Sequence, residues 1–394
     1  MVRRAIASPF NALPAAHPID WPNEPYPGAT AIVGRVFDAT SATYKFYWFL
    51  GLLERVFGTT VSDRVSVSLL EIGHEMIVQA WYTRRQFRLW FGHLDRLQAV
   101  VDYLGEATGL EPGANPELVR SAAIKLPEHE VQKVLGYVPY RFLTPWFHYV
   151  LRGLVTDADR DNAILIFAER SRRTPRPSPY WFDRIRPRPT GITVDRPWIV
   201  FLQSNYILLR SFALISLARY FEVRNPGVPG IINKLERPSV RSLATALAAW
   251  KAVLRVQPFR CIYSGQEISA RFDLDHFVPW SFVTHDLFWN LLPVSPNANR
   301  RKSDSLPSLD RYLPAFVDHQ YRAASTLTRL LPSASPTEKK SFHAVLQQYA
   351  DLFEAPEESL LGYGADQFAE RLRSEIRLHV ERARRLHFPA EWIW

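Results

Sequence analysis

Cysteine is nearly absent from the 394 residues: Cys261 is the only one. A single thiol excludes an intrachain disulfide framework and any multi-cysteine metal cluster, and it fits a reducing interior. No apolar run reaches the roughly 18 residues of a spanning helix, so no membrane partner is expected. There is no Asn-x-Ser/Thr sequon. Residues 1–22 carry two arginines but no continuous apolar stretch ahead of their prolines, a poor signal peptide, and the expected location is the cytoplasm. No phosphate loop and no dinucleotide fingerprint occurs, so nothing points to ATP or NAD. Two fragments imitate metal sites and fail. Gly73-His74-Glu75 opens like a zincin helix, but Val78 stands where the second histidine is needed. Asp157-Ala158-Asp159-Arg160-Asp161 opens like a calcium loop, yet Asn162 replaces the obligatory glycine, so an acidic helix start is the better reading.

Apolar residues are plentiful at 47%, with 22% charged, which supplies a sizeable core and excludes global disorder. The length suggests two or three domains. The net charge of +9 is modest, but it is unevenly spread: between Arg170 and Arg260 there are 17 Lys/Arg and 4 Asp/Glu. Concentrated positive charge favours a polyanion, because each neutralised phosphate releases condensed counterions. A solvated arginine-rich surface would look the same.

The pattern along the chain is mostly helical. Residues 1–40, rich in Pro and Ala, read as an extended arm. Residues 41–170 read as a helical domain, with dense apolar stretches at 43–57 and 68–82, a helix at 93–109 ending on glycine, and two more behind Pro116 and Pro127. The aromatic run Tyr44–Phe49 has helical periodicity, which favours core packing over base stacking. Residues 171–196 form a basic Pro/Arg-rich loop whose first 21 residues hold five prolines and six arginines. Such a segment cannot continue a helix or a central strand. Its arginines Arg172, Arg173, Arg176, Arg184, Arg186 and Arg188 are candidate nucleic-acid contacts. Residues 197–256 read as a helical lead-in, 257–307 as a small mixed module, and 308–394 as three closing helices.

The chemistry lies in residues 261–307. There Asp275 directly precedes His276, Asn290 follows 14 residues later, and Asn299 nine after that, opening Asn-Arg-Arg-Lys-Ser-Asp. Singly, an Asp-His pair is an ordinary ion pair and each asparagine a turn or capping residue. Together, in this order and spacing, they resemble the HNH, or ββα-metal, endonuclease family over about 45 residues. The pattern along the chain reads as mostly α and multi-helical, and the resemblance implies that the embedded small module is of the ββα-metal (HNH) type. It implies that Asp275 and Asn299 hold one divalent metal ion, Mg²⁺ or Mn²⁺, that His276 is the general base, and that Asn290 braces the loop and orients the histidine. It also implies that Arg300, Arg301 and Lys302, on the following helix, contact phosphate.

The physical chemistry agrees with these roles. An imidazole with a pKa of about 6.5 can take a proton from water near neutral pH. A hard cation on carboxylate and amide oxygens can relieve charge on a leaving oxygen. Many members of the family also carry a zinc knuckle of two Cys-x-x-Cys pairs. The corresponding positions here are Cys261, Ser264, Ser295 and Ala298, so no structural zinc is expected and packing must hold the module. Phe277, Val278, Pro279, Trp280, Phe282, Phe288, Trp289 and Leu291 are the expected providers of that packing; His285 and Asp286, in the connecting loop, either touch substrate or cap the hairpin, and capping is the favoured reading. DNA is the expected partner. The alternatives are an RNA-directed nuclease, or a nucleic-acid-binding module with an idle HNH fold. The pattern DHF-PWSF-WNL-N-KSD-LP behind a helical region further resembles bacterial mobile-element or anti-phage defence nucleases, which would imply an activating defence-system partner; one site per chain means that a double-strand cut needs a homodimer or two sequential events.

Overall fold

The computed structural model describes residues 21–183, 189–237, 242–268, 271–362 and 364–394. It divides into two compact units, Met1–Asn225 and Pro226–Trp394.

In the first unit, residues 1–20 of the expected extended arm lie outside the described residues, and residues 21–40 are packed rather than extended. A short helix, α1 (Ala29–Val33), forms, and Tyr26, Ala29, Val33 and Val36 are buried. Apolar side chains at helical spacing outweigh the local proline content. Helix α2 (Tyr44–Phe57) buries Phe46, Tyr47, Trp48 and Phe49, so the aromatic run is core. Strand β1 (Arg64–Ser68) leads into α3 (Leu69–Trp81), which opens on a capping box made by Ser68 and Glu71. Helices α2 and α3 approach closely at Gly51, where a Cβ would sit 3.1 Å from the Ile72 carbonyl.

Helices α4 (Arg96–Thr108), α5 (Pro116–Ala123) and α6 (Glu128–Leu135) follow as expected, α4 stopping at Gly109 in the left-handed conformation. Two single turns, α7 (Val138–Arg141) and α8 (Thr144–Phe147), precede α9 (Asp157–Ser171). The acidic start of α9 is capped by Thr156, which accepts from Asp159 N–H.

The Pro/Arg-rich segment departs from the loop reading. Trp181–Phe182 (β2) and Gly191–Asp195 (β3) are strands, and the sheet order β1-β3-β2 puts β3 in the centre, antiparallel to both neighbours. The prolines flank these strands rather than interrupt them. β3 carries the β-branched run Ile192–Val194, which suits a pleated surface. Helices α10 (Arg196–Ser204) and α11 (Tyr206–Arg224) complete this unit, so the stretch read as a lead-in to the nuclease module is divided at Asn225. No single helix among the described residues is long and apolar enough to cross a membrane; α10 and α11 together would be, but a 73° bend separates them.

In the second unit, α12 (Ala244–Val256) precedes β4 (Asp273–His276), the turn α13 (Trp280–Val283), β5 (Leu291–Val294) and α14 (Pro296–Lys302). The two strands pair antiparallel, with Asp273 opposite Val294 and His276 opposite Leu291. The three closing helices are α15 (Leu309–Leu330), α16 (Pro336–Phe353) and α17 (Ala365–Arg385). They share one apolar core with α12 and the ββα module. Phe277 stacks on Phe316 at 4.2 Å and Trp250 on Phe288 at 5.0 Å. The Leu291 carbonyl of β5 accepts from Trp250 Nε1 and Gln320 Nε2. The C-terminal tail returns to the end of the module, where Trp392 N–H donates to Leu306 O and Ser308 N–H to Trp392 O. The module is thus held in a helical socket by apolar contact, as its missing thiols require.

Candidate active site

Strand β4 and helix α14 are joined by two polar rungs. Asp273 and Asp275 occupy alternate positions and share one face of β4, while Asn299 and Lys302, three apart, share one face of α14. Asn299 Nδ2 donates to Asp273 Oδ2 at 3.2 Å, and Lys302 Nζ donates to Asp275 Oδ1 at 3.1 Å. Lys302 Nζ also donates to the His276 carbonyl at 2.7 Å. Lys302 is 0% exposed and Asp275 4%, so this is a fully desolvated ion pair. The expectation that Lys302 contacts phosphate is therefore corrected: its ammonium is spent inside the module. Charge pattern alone cannot separate a buried lysine from its solvated neighbours. Arg300 and Arg301 are exposed, and Arg301 lies over the Trp394 ring at 4.7 Å.

Asp275 has a second partner, Tyr263, whose hydroxyl donates to Oδ2 at 2.7 Å. Burial, and then the Asp275 carboxylate, push the Tyr263 phenol well above its ordinary range, so it stays a donor. Each Asp275 oxygen thus accepts one bond and keeps a second lone pair.

Asn290 sits in the turn before β5 and is fully buried. Its Oδ1 accepts from Val278 N–H at 2.9 Å and its Nδ2 donates to Val278 O at 2.8 Å. The Asn290 carbonyl also accepts from Phe277 N–H. The side chain closes like a strand rung on the residues that follow His276.

His276 ends β4, and its Nε2 lies 2.9 Å from Asp286 Oδ1. The sequence favours a capping role for Asp286 over substrate contact; ten residues of intervening chain offer no signal for this pairing. His285 does take part in the turn, accepting from Leu287 N–H on Nδ1. Burial, with smaller contributions from His379, His276 and Lys234, lowers its pKa to about 4, so it is neutral at physiological pH.

The positions of the absent zinc knuckle hold one thiol, two hydroxyls and one methyl. Cys261 Sγ lies 4.0 Å from Ser295 Oγ, and Ala298 is buried in the core. This donor set does not fit zinc. The turn itself persists on backbone bonds, Gly265 N–H to Cys261 O at 2.8 Å and Cys261 N–H to Gln266 O at 2.7 Å, with Gly265 at a φ of +72°.

Residues 261–308 match the family model described as HNH endonuclease. This segment is an HNH module. No curated protein and no solved structure matches the chain. The match points to nuclease chemistry on nucleic acid for this module, and HNH nucleases in general depend on a divalent metal ion.

The donor atoms present are of the type such an ion takes, although the buried Lys302 already meets the charge of Asp275. Asp273, Asp275 and Asn299 supply carboxylate and amide oxygens from the β4–α14 face, hard donors suited to Mg²⁺ or Mn²⁺. No group of three or more His, Cys, Asp or Glu side chains gathers among the described residues, so any cation here relies on few protein donors. Asp273, which the motif reading passed over, lies two residues before Asp275 on the same strand face. That spacing was the available signal.

The remaining basic candidates lie in the first unit. Arg172 is taken up by the Trp181 ring at 4.1 Å and by Glu169, whereas Arg173 and Arg176 are exposed. Arg184, Arg186 and Arg188 lie outside the described residues.

Proposed function

We propose that the chain is a metal-dependent endonuclease that hydrolyses phosphodiester bonds in DNA. His276 is the general base, Asp275 and Asn299 are the metal ligands, and Asn290 is the brace. The observation that supports this reading is that all four residues lie on the matched ββα segment with their side chains tied down. They come from β4, the turn before β5, and α14, and hydrogen bonds hold each in place.

The imidazole of His276 takes a proton from water as the water oxygen attacks phosphorus and the P–O3′ bond breaks. Asn290 fixes the backbone just beyond His276, so the ring's reach is set by strand geometry rather than by a mobile loop. The bound cation would supply charge relief on the phosphate and the leaving oxygen. Arg300 and Arg301, exposed on α14, would meet the backbone of the substrate, each contributing a salt-sensitive contact. Because the module reads phosphate, an RNA substrate is the second reading. A defence role requires that phage restriction be lost with His276.

The test compares supercoiled plasmid, linear duplex, single-stranded DNA and structured RNA, each with Mg²⁺, Mn²⁺ or EDTA. Metal-dependent cutting of DNA substrates is expected. Cutting of RNA alone would replace the substrate assignment, and binding without cleavage under every condition would point to an idle fold.

A further inference from the structure

We infer that Asp286 is a positioning residue for His276, fixing the tautomer in which Nδ1 is the proton-accepting atom. The inference rests on the reading of His276 as general base. A carboxylate only accepts hydrogen bonds, so the 2.9 Å contact between Asp286 Oδ1 and His276 Nε2 requires the proton on Nε2. The lone pair of the neutral ring then falls on Nδ1, which has no hydrogen bond among the described residues. The side chains of His276 and Asp286 are 9% and 16% exposed, so water competes little for the bond.

The placement of Asp286 is built, not incidental. Two residues earlier, Thr284 is held in the left-handed region at a φ of +57°, a strained conformation for a β-branched residue. Its hydroxyl accepts from the buried Lys234 Nζ at 3.1 Å, and Lys234 Nζ also donates to Pro229 O at 2.7 Å. On the other side, Phe288 N–H donates to Gln348 Oε1 of α16 at 2.6 Å. The turn carrying Asp286 is therefore anchored at both ends to elements outside the module's own ββα frame. Neutral His285, beside Asp286, rests on the Trp289 ring at 5.1 Å.

The experiment compares wild type with Asp286→Asn, Asp286→Glu and His276→Ala on supercoiled plasmid under Mg²⁺. Turnover and KM are separated, and the His276 tautomer is read by ¹⁵N NMR of histidine-labelled protein. Asp286→Asn is expected to lower kcat about 10–10³-fold with KM within twofold, because an amide can donate as well as accept and so releases the tautomer. The Nε2–H form should be dominant in wild type and mixed in the variant. Asp286→Glu should recover part of kcat, and it carries the test if Asp286→Asn fails to fold. Unchanged kcat and tautomer in the Asp286 variants, with His276→Ala inactive, would overturn the positioning role while leaving the base intact. An active His276→Ala would instead remove the base assignment itself.

Discussion

Replacing Asn290 by alanine removes two hydrogen bonds at once and leaves both polar groups of a buried peptide without partners. Asn290 and Val278 are each 0% exposed, and the amide meets Val278 N–H and C=O at 2.9 and 2.8 Å. Each group left unsatisfied costs about 1–3 kcal/mol, so the variant should lose about 2–6 kcal/mol locally. That is a large fraction of a domain's usual 5–15 kcal/mol. Asn290→Asp should be at least as harmful: a carboxylate still accepts from Val278 N–H but faces the Val278 carbonyl with a buried charge. The assay is hydrogen exchange by mass spectrometry on the peptide spanning residues 276–283. A local loss of about 3 kcal/mol corresponds to roughly 10²-fold faster exchange. An Asn290→Ala protein whose exchange there rises less than about fivefold would refute the claim that this side chain holds the loop behind His276.

Other parts of the module make separate predictions. Lys302→Ala strands the buried Asp275 carboxylate and should cost about 3–5 kcal/mol in chemical denaturation, whereas Arg300→Ala, on the surface, should stay within about 0.5 kcal/mol. Equal effects would contradict the assigned burial. His285 has its pKa lowered in the folded protein to about 4, so between that value and the unfolded value near 6.5 the unfolded chain binds more protons. Stability should fall by up to about 2 kcal/mol from pH 7 to pH 5, be flat above pH 7, and lose this slope in His285→Gln; denaturation at both pH values checks it. Addition of Mn²⁺ should raise the melting temperature of the wild type and raise it less in Asn299→Ala. An equal shift in both would exclude Asn299 as a ligand.

Most helices were legible because apolar spacing, proline starts and glycine stops are local signals, as at residues 43–57 and 93–109. The three-stranded sheet was not, because β2 is two residues long and β3 lies behind a proline-rich stretch whose composition argues for loop. The division at Asn225 was equally hidden, since α11 and α12 look alike in pattern and only their packing assigns them to different units. In the module, Asp275, His276, Asn290 and Asn299 stand out in the sequence by order and spacing alone. Tyr263 and Asp286 do not, because each reaches its partner only when the strands pair and the turn folds back. Lys302 was misread for the opposite reason: it stands in a basic run, and nothing local says that one of three neighbouring cations turns inward.

The most direct measurement is single-turnover cleavage of supercoiled plasmid by wild type and His276→Ala, each with Mg²⁺ and with EDTA. The account predicts cutting by wild type with Mg²⁺ alone and a loss of about 10²–10⁴-fold in His276→Ala, with DNA binding retained. Near-native cutting by His276→Ala, free of contaminating nuclease, would contradict it.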